Sequence, residues 1–222
     1  MFHVRILVLS SLSFVAIAQQ NQQKTLVPPT LAAEFDETHT RQLTDGNTVV
    51  NRVTGQFFRD NRGRTRLERG NVVIIKDPVT QTLVVLDARS QTARRFSMVR
   101  NTQVFDGAAS PRTGITGGQQ VDLGTQSMEG QEAKGKQFSL VVPAGAIGNK
   151  QPIQQVSEMW HSDKLLLPLL VKSKDTLNGE RIQRYHNIRA GVDVDPALFT
   201  IPKGFQVVNV NAAAQSGSGK LR

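Results

Sequence analysis

From position 34 to about position 210 the chain carries no sustained helical period. Apolar side chains recur instead at every second position, as at Phe138, Leu140 and Val142, or in short solid runs bounded by turn dipeptides. "NTVVNRVTGQFFRD" follows Asp45-Gly46, "RTRLERG" follows Asn61-Arg62-Gly63, and Asn178-Gly179 separates 169–175 from 180–188. Dipeptides of this kind supply the positive φ angles that tight hairpins need. The pattern predicts a mainly β chain, with a meander of roughly six strands before position 100 and a second strand-rich region after position 120.

Two predicted strands, 72–75 and 83–86, are apolar at four successive positions. Neighbouring residues of a strand point to opposite sides, so cover is expected on both sides of them. The best short-helix signal is "DPALF" at 195–199, with Asp195 as N-cap and Pro196 at the first helical position. The Gly-, Ser- and Thr-rich stretch 101–120 is expected to be a flexible loop within one sheet. The segment 143–153, "PAGAIGNKQPI", is expected to be an ordered loop, either a binding rim or a turn between long strands.

Residues 1–18 combine a basic start at Arg5, an apolar run from Ile6 to Ile17 and the small residues Ala16 and Ala18. This predicts a secretory signal cleaved after Ala18. The run falls short of the about 20 apolar residues of a membrane span, and no cysteine follows it for lipid attachment. The expected layout is a signal peptide at 1–18, an extended lead-in at 19–33, a single β-rich domain at 34–210, and a disordered tail at 211–222. The expected location is periplasmic or secreted, with no transmembrane span after signal cleavage. Lacking cysteine, the chain has no disulfides to rely on and must draw its stability from burial. Its net charge of +9, or +8 once Arg5 is removed, draws it toward anionic partners.

The segments "FRDNRGRTRLERG … IKDPVTQTLVVLDARSQTAR", "LGTQSMEGQEAKGKQFSLVVPAGAIGNKQPI", "SEMWHSDKLLLPLLVKS" and "DPALFTIPKGFQVV" resemble, in that order, an uncharacterised group of exported bacterial proteins. Strand order, the Glu158-x-Trp160 strand, Pro168 after it and the closing Asp-Pro-x-Leu-Phe … Pro-x-Gly-Phe segment are also similar to the LolA-like half-barrel of lipoprotein-localisation and sigma-regulatory envelope proteins. That resemblance implies a large curved antiparallel sheet, an open half-barrel with few short helices, whose concave side shelters an acyl chain or a partner's lipid anchor. The chain departs from the broader pattern in offering few helices to plug that side.

By alternation Glu158, Trp160 and Ser162 share one strand side. Trp160 and Glu158 with Leu165, Leu167 and Leu170 are the candidate ligand-binding wall; the structural alternative is that Glu158 and Trp160 close the core through one salt bridge. Arg62, Arg64 and Arg66 are the candidate anion contact, and the more economical reading is a solvated hairpin paired internally with Asp60 and Glu68. Nucleic acid is not an expected partner, since the nearest aromatics, Phe57 and Phe58, lie before the turn. His39, His161 and His186 lack metal-ligand spacing. Asp193 and Asp195 lack a calcium-loop run of oxygens. "SGSGK" at 216–220 has Leu221 where a phosphate-binding loop needs Ser or Thr. No catalytic residue, metal or cofactor is expected.

The expected function is therefore that of an exported envelope binding protein, not an enzyme, holding a hydrophobic or lipidic ligand on the concave face of a curved sheet. The alternative is an interaction module that binds an anionic envelope polymer or a partner protein through a basic outer surface.

Overall fold

The computed structural model describes residues 28–98 and 118–210. Among the described residues, six strands lie in 28–98: β1 (Leu31–Gln42), β2 (Thr48–Arg59), β3 (Thr65–Arg69), β4 (Val72–Asp77), β5 (Thr82–Asp87) and β6 (Thr92–Ser97). Six more lie in 118–210: β7 (Gln119–Met128), β8 (Gln131–Val142), β9 (Ile153–Ser162), β10 (Leu167–Asp175), β11 (Gly179–Ala190) and β12 (Gln206–Val210). All twelve form one open sheet in the order β12-β6-β5-β4-β3-β2-β1-β11-β10-β9-β8-β7. Two antiparallel meanders meet at its centre, where β1 pairs with β11. The mainly β, large antiparallel sheet expected from the sequence is what forms. The expected signal peptide, the tail with "SGSGK", and nearly all of the 101–120 loop lie outside the described residues.

Two boundaries differ from expectation. Leu31, Ala32 and Ala33, assigned to the lead-in, belong to β1 and are 0–5% exposed. They are strand because partners exist on both sides, Leu31 lying opposite Arg59 and Ala190, which a Pro-Pro lead-in does not reveal. Likewise Gln119 and Gln120, assigned to the loop, begin β7 against Ser139 and Phe138.

The solid apolar runs find cover on one side. After β11 the chain crosses back over the sheet through residues 191–205 to lay β12 parallel to β6. On the way Val194 and Phe199 pack with Ile75, Val84, Leu86 and Ala93, and Phe58, Val73, Leu198, Ile201 and Phe205 flank them. The crossover contains the predicted short helix as one 3-10 turn, Pro196–Phe199, whose N-cap Asp195 accepts a hydrogen bond from the Ala197 N–H (2.8 Å). Cover on the other side is looser, and Val72 stays 38% exposed.

A second core gathers Leu31, Ala33, Phe35, Ala133, Trp160, Leu165, Leu167, Leu169, Leu170 and Tyr185. Register shows how it is built. Phe35 lies opposite Tyr185 on one neighbour and Gly55 on the other, with Phe57 and Leu67 paired one step further along the same side. In β10 a register shift between Pro168 and Leu170 lets Leu169 and Leu170 both be buried.

Rings repeatedly lie over glycines of the adjoining strand or, at Gly118, over the residue just before it. Phe35 covers Gly55 and Phe138 covers Gly118, while Trp160 covers Gly135 so closely that a Cβ there would sit 2.7 Å from the indole. Each glycine gives up its side-chain space so that a ring can lie flat on the sheet. Arg59, 5% exposed, fastens the β9–β10 turn to the start of β1, donating to the carbonyls of Pro29 (2.9 Å), Leu165 and Leu166 (3.1 Å).

Candidate functional site

Trp160, Leu165, Leu167 and Leu170, the expected pocket wall, are 1–8% exposed and packed into the second core. Glu158 beside them is satisfied internally. Its Oε1 accepts from the Trp160 indole N–H (2.7 Å) and from Lys172 Nζ (3.0 Å). The indole hydrogen bond first, and then the Lys172 ammonium, hold the carboxyl below the usual glutamate range. None of these five residues borders either of the two cavities described below.

The arginine hairpin divides by residue. Arg64 pairs with Asp60 (2.6 Å) and lays its guanidinium 4.7 Å from the centre of the Phe199 ring. Arg66 pairs with Glu68 (2.6 Å) and donates to the Leu198 carbonyl (2.8 Å). Both therefore fasten the crossover to the sheet, with side chains only 11% and 13% exposed. Arg62 is exposed and, among the described residues, uses only its backbone N–H, toward Asp60 (3.0 Å). The histidines stay apart: His39 donates to the Asn178 carbonyl (2.7 Å), His161 sits beside Asp163, and His186 lies between Glu34 and Asp36. Among the described residues no group of three or more His, Cys, Asp or Glu is placed to hold a metal ion.

Along β1 the side that begins Leu31, Ala33, Phe35 continues as Glu37 and His39, passing from apolar to charged. Glu37 is 4% exposed, and its two oxygens are divided between two strands: Arg69 of β3 donates to one, and Arg181 of β11 donates to the other at 2.7 Å. Register supports this: Arg69 stands opposite Gly55, whose missing side chain leaves room, and Arg181 stands opposite both His39 and Ser173. The Tyr185 hydroxyl lies on the inner flank, accepting from Gln183 (3.2 Å).

Burial, reinforced by the Glu37 charge, pushes the Tyr185 phenol up to about 12. Because the neutral form is the one the fold prefers, the stabilisation is fully present below pH 10 and is lost as pH rises from about 10 to about 12. The chain has one tyrosine. Alkaline difference absorbance should therefore show tyrosinate appearing near pH 12, together with loss of the fold. A midpoint near 10 in still-folded protein would refute the burial.

A cavity of about 830 Å³ opens over this network, bordered by Glu37, Arg69, Arg181, His39, Ser173 and Asn51 among others. A smaller one of about 480 Å³ lies at the adjoining strand ends, between Arg41, Gln154, Lys174 and Leu177. Sequence reasoning missed this network, in which Arg69 and Arg181 lie 32 and 144 positions from Glu37. One signal was present, an acidic residue in the register of the apolar run Leu31, Ala33, Phe35.

No protein-family model and no curated protein sequence matches the chain. Solved structures resemble it in backbone course. An uncharacterised conserved protein from Thermus thermophilus superposes with a TM-score of 0.49 at 10% identity, covering 83% of this chain and 92% of its own. PNGF-II superposes at 0.46 with 11% identity over 85% of this chain, which spans 33% of that protein. A LolA superfamily protein from Nitrosomonas europaea superposes at 0.38 with 11% identity, covering 79% of this chain and 91% of its own.

Proposed function

We propose that this is an exported binding protein that engages an anionic component of the bacterial envelope through its basic surface. The observation that carries this reading is the contrast between the two candidate regions: the leucine and tryptophan wall is packed solid, whereas an arginine-lined polar cavity stands open. Binding of this kind is screened by salt, with a Debye length near 10 Å at 0.1 M. Co-sedimentation with vesicles containing phosphatidylglycerol should be strong in low salt, fade toward physiological ionic strength and be absent with zwitterionic vesicles. Arg62→Glu should weaken it several-fold without unfolding, because Arg62 makes no side-chain bond among the described residues. Salt-insensitive binding, or equal binding to both vesicle types, would reject the reading.

A second reading, a hydrophobic or lipidic ligand, has one observation in its favour. On the Glu37 side of the sheet, apolar side chains continue past the core through Val171 to Met159 and Phe138, the last two 43% and 42% exposed. Native mass spectrometry after incubation with fatty acids should then show adducts that Met159→Lys removes. A spectrum without adducts disposes of this second reading.

A further inference from the structure

The Glu37 network holds donors that the fold does not use. Arg69 and Arg181 each commit one Nη2 to Glu37, and among the described residues neither has another partner. Their side chains are 41% and 49% exposed, so the remaining guanidinium N–H groups are open to the cavity. Because the buried carboxylate binds one nitrogen of each, it fixes both forks in place. A preoriented pair of arginines is the arrangement that recognises carboxylate and phosphate, whose oxygens match the planar fork.

The acids of the lining are already committed. Arg69 and Arg181 share the cavity side with Glu37 and Asp175, and Arg52 borders it from across Thr38, on the other face of β2. Asp175 is engaged in the β10–β11 turn, where it accepts from the backbone of Leu177 and Asn178 and from the Asn178 amide. The rest of the lining is mainly polar, with Ser173, Asn51 and His39 around the arginines and only Val50 and Val53 apolar. Cavities of about 300–1,000 Å³ take small organic molecules, usually through apolar walls. At about 830 Å³ this one has the size but not the lining for an apolar guest.

We propose that this groove binds a carboxylate or phosphate group carried on a small hydroxyl-bearing molecule of the uronic-acid or sugar-phosphate type. The free donors of Arg69 and Arg181 take the anion, and Ser173 and Asn51 face the hydroxyls. The proposal rests on the anion-binding reading above and gives it a place and a ligand class.

Isothermal titration calorimetry of the full chain with glucuronate, glucose 6-phosphate and neutral glucose tests it. At least one of the two anions should bind and glucose should not; which anion binds identifies the group. Arg181→Lys keeps a cation beside Glu37 but loses the fork, and should weaken binding about tenfold. Ser173→Tyr puts a ring into the groove beside Arg181, its cross-strand neighbour, and should abolish uptake while leaving the thermal midpoint within a few degrees. Uptake of neither anion, equal uptake of glucose, or unchanged binding by a folded Ser173→Tyr protein overturns the proposal. Salt-sensitive vesicle binding by a protein that takes up neither anion would overturn the groove alone and leave the surface reading standing.

Discussion

Replacing Gly55 by alanine is expected to cost about 4 kcal/mol or more, enough to unfold a domain of ordinary stability. Backbone conformation is not the cause, since Gly55 is not among the positive-φ residues. The cause is space: a Cβ would run into the backbone oxygen of Glu68 on β3 and into the Phe35 ring on β1. A side-chain tip could swing away, but a ladder carbonyl is held by the sheet and Phe35 is 1% exposed. Gly46 is the matching control. It has φ +85°, and a Cβ added there would meet nothing within 4 Å, so alanine should cost only the backbone strain of roughly 1–2 kcal/mol. Urea unfolding followed by the fluorescence of Trp160, the single tryptophan, compares the two. Equal losses would mean that the Phe35–Gly55 contact does not form as described.

The Glu37 network should respond asymmetrically. Removing both arginines, Arg69→Met with Arg181→Met, leaves a 4%-exposed carboxylate without its partners and is expected to cost about 3–5 kcal/mol. Removing the acid instead, Glu37→Gln, leaves two guanidinium groups that reach water and is expected to cost about 1–2 kcal/mol. Adding Glu37→Gln to the double arginine variant should then restore part of the loss, because the buried charge disappears. If the triple variant is no more stable than the double, the carboxylate is not a buried charge held by these two arginines. The same series separates structure from recognition: Glu37→Gln preserves both cations but loosens their orientation, so it should weaken uptake of a sugar anion more than it weakens the fold.

Much of the architecture is legible in the amino-acid order, for identifiable reasons. Asn178-Gly179 joins β10 to β11 as expected, with Gly179 at φ +82°. "DPALF" forms a capped 3-10 turn because Asp195 and Pro196 act on their immediate neighbours. Four-residue apolar runs announce a covering element, and residues 191–205 provide it for one side. The candidate wall was read from the right residue types, yet hydrophobicity alone does not distinguish a side chain that lines a cavity from one that fills it. The arginine hairpin shows the same limit: Arg64 and Arg66 are engaged by Phe199 and the Leu198 carbonyl, more than 130 positions away.

Alternation, turn dipeptides and caps act over a few residues, so the amino-acid order by itself determined the strands, their hairpins and the mainly β class. Which strands meet is settled by pairing across the whole chain: β1 beside β11 brings Glu37 between Arg69 and Arg181, and β12 returns to β6 over the far side. Only the tertiary structure decided that the leucines fill, that Arg59, Arg64 and Arg66 turn inward, and that Arg69 and Arg181 stay half exposed beside Glu37. Burial of a side chain depends on what long-range pairing lays against it, and local sequence carries no record of that.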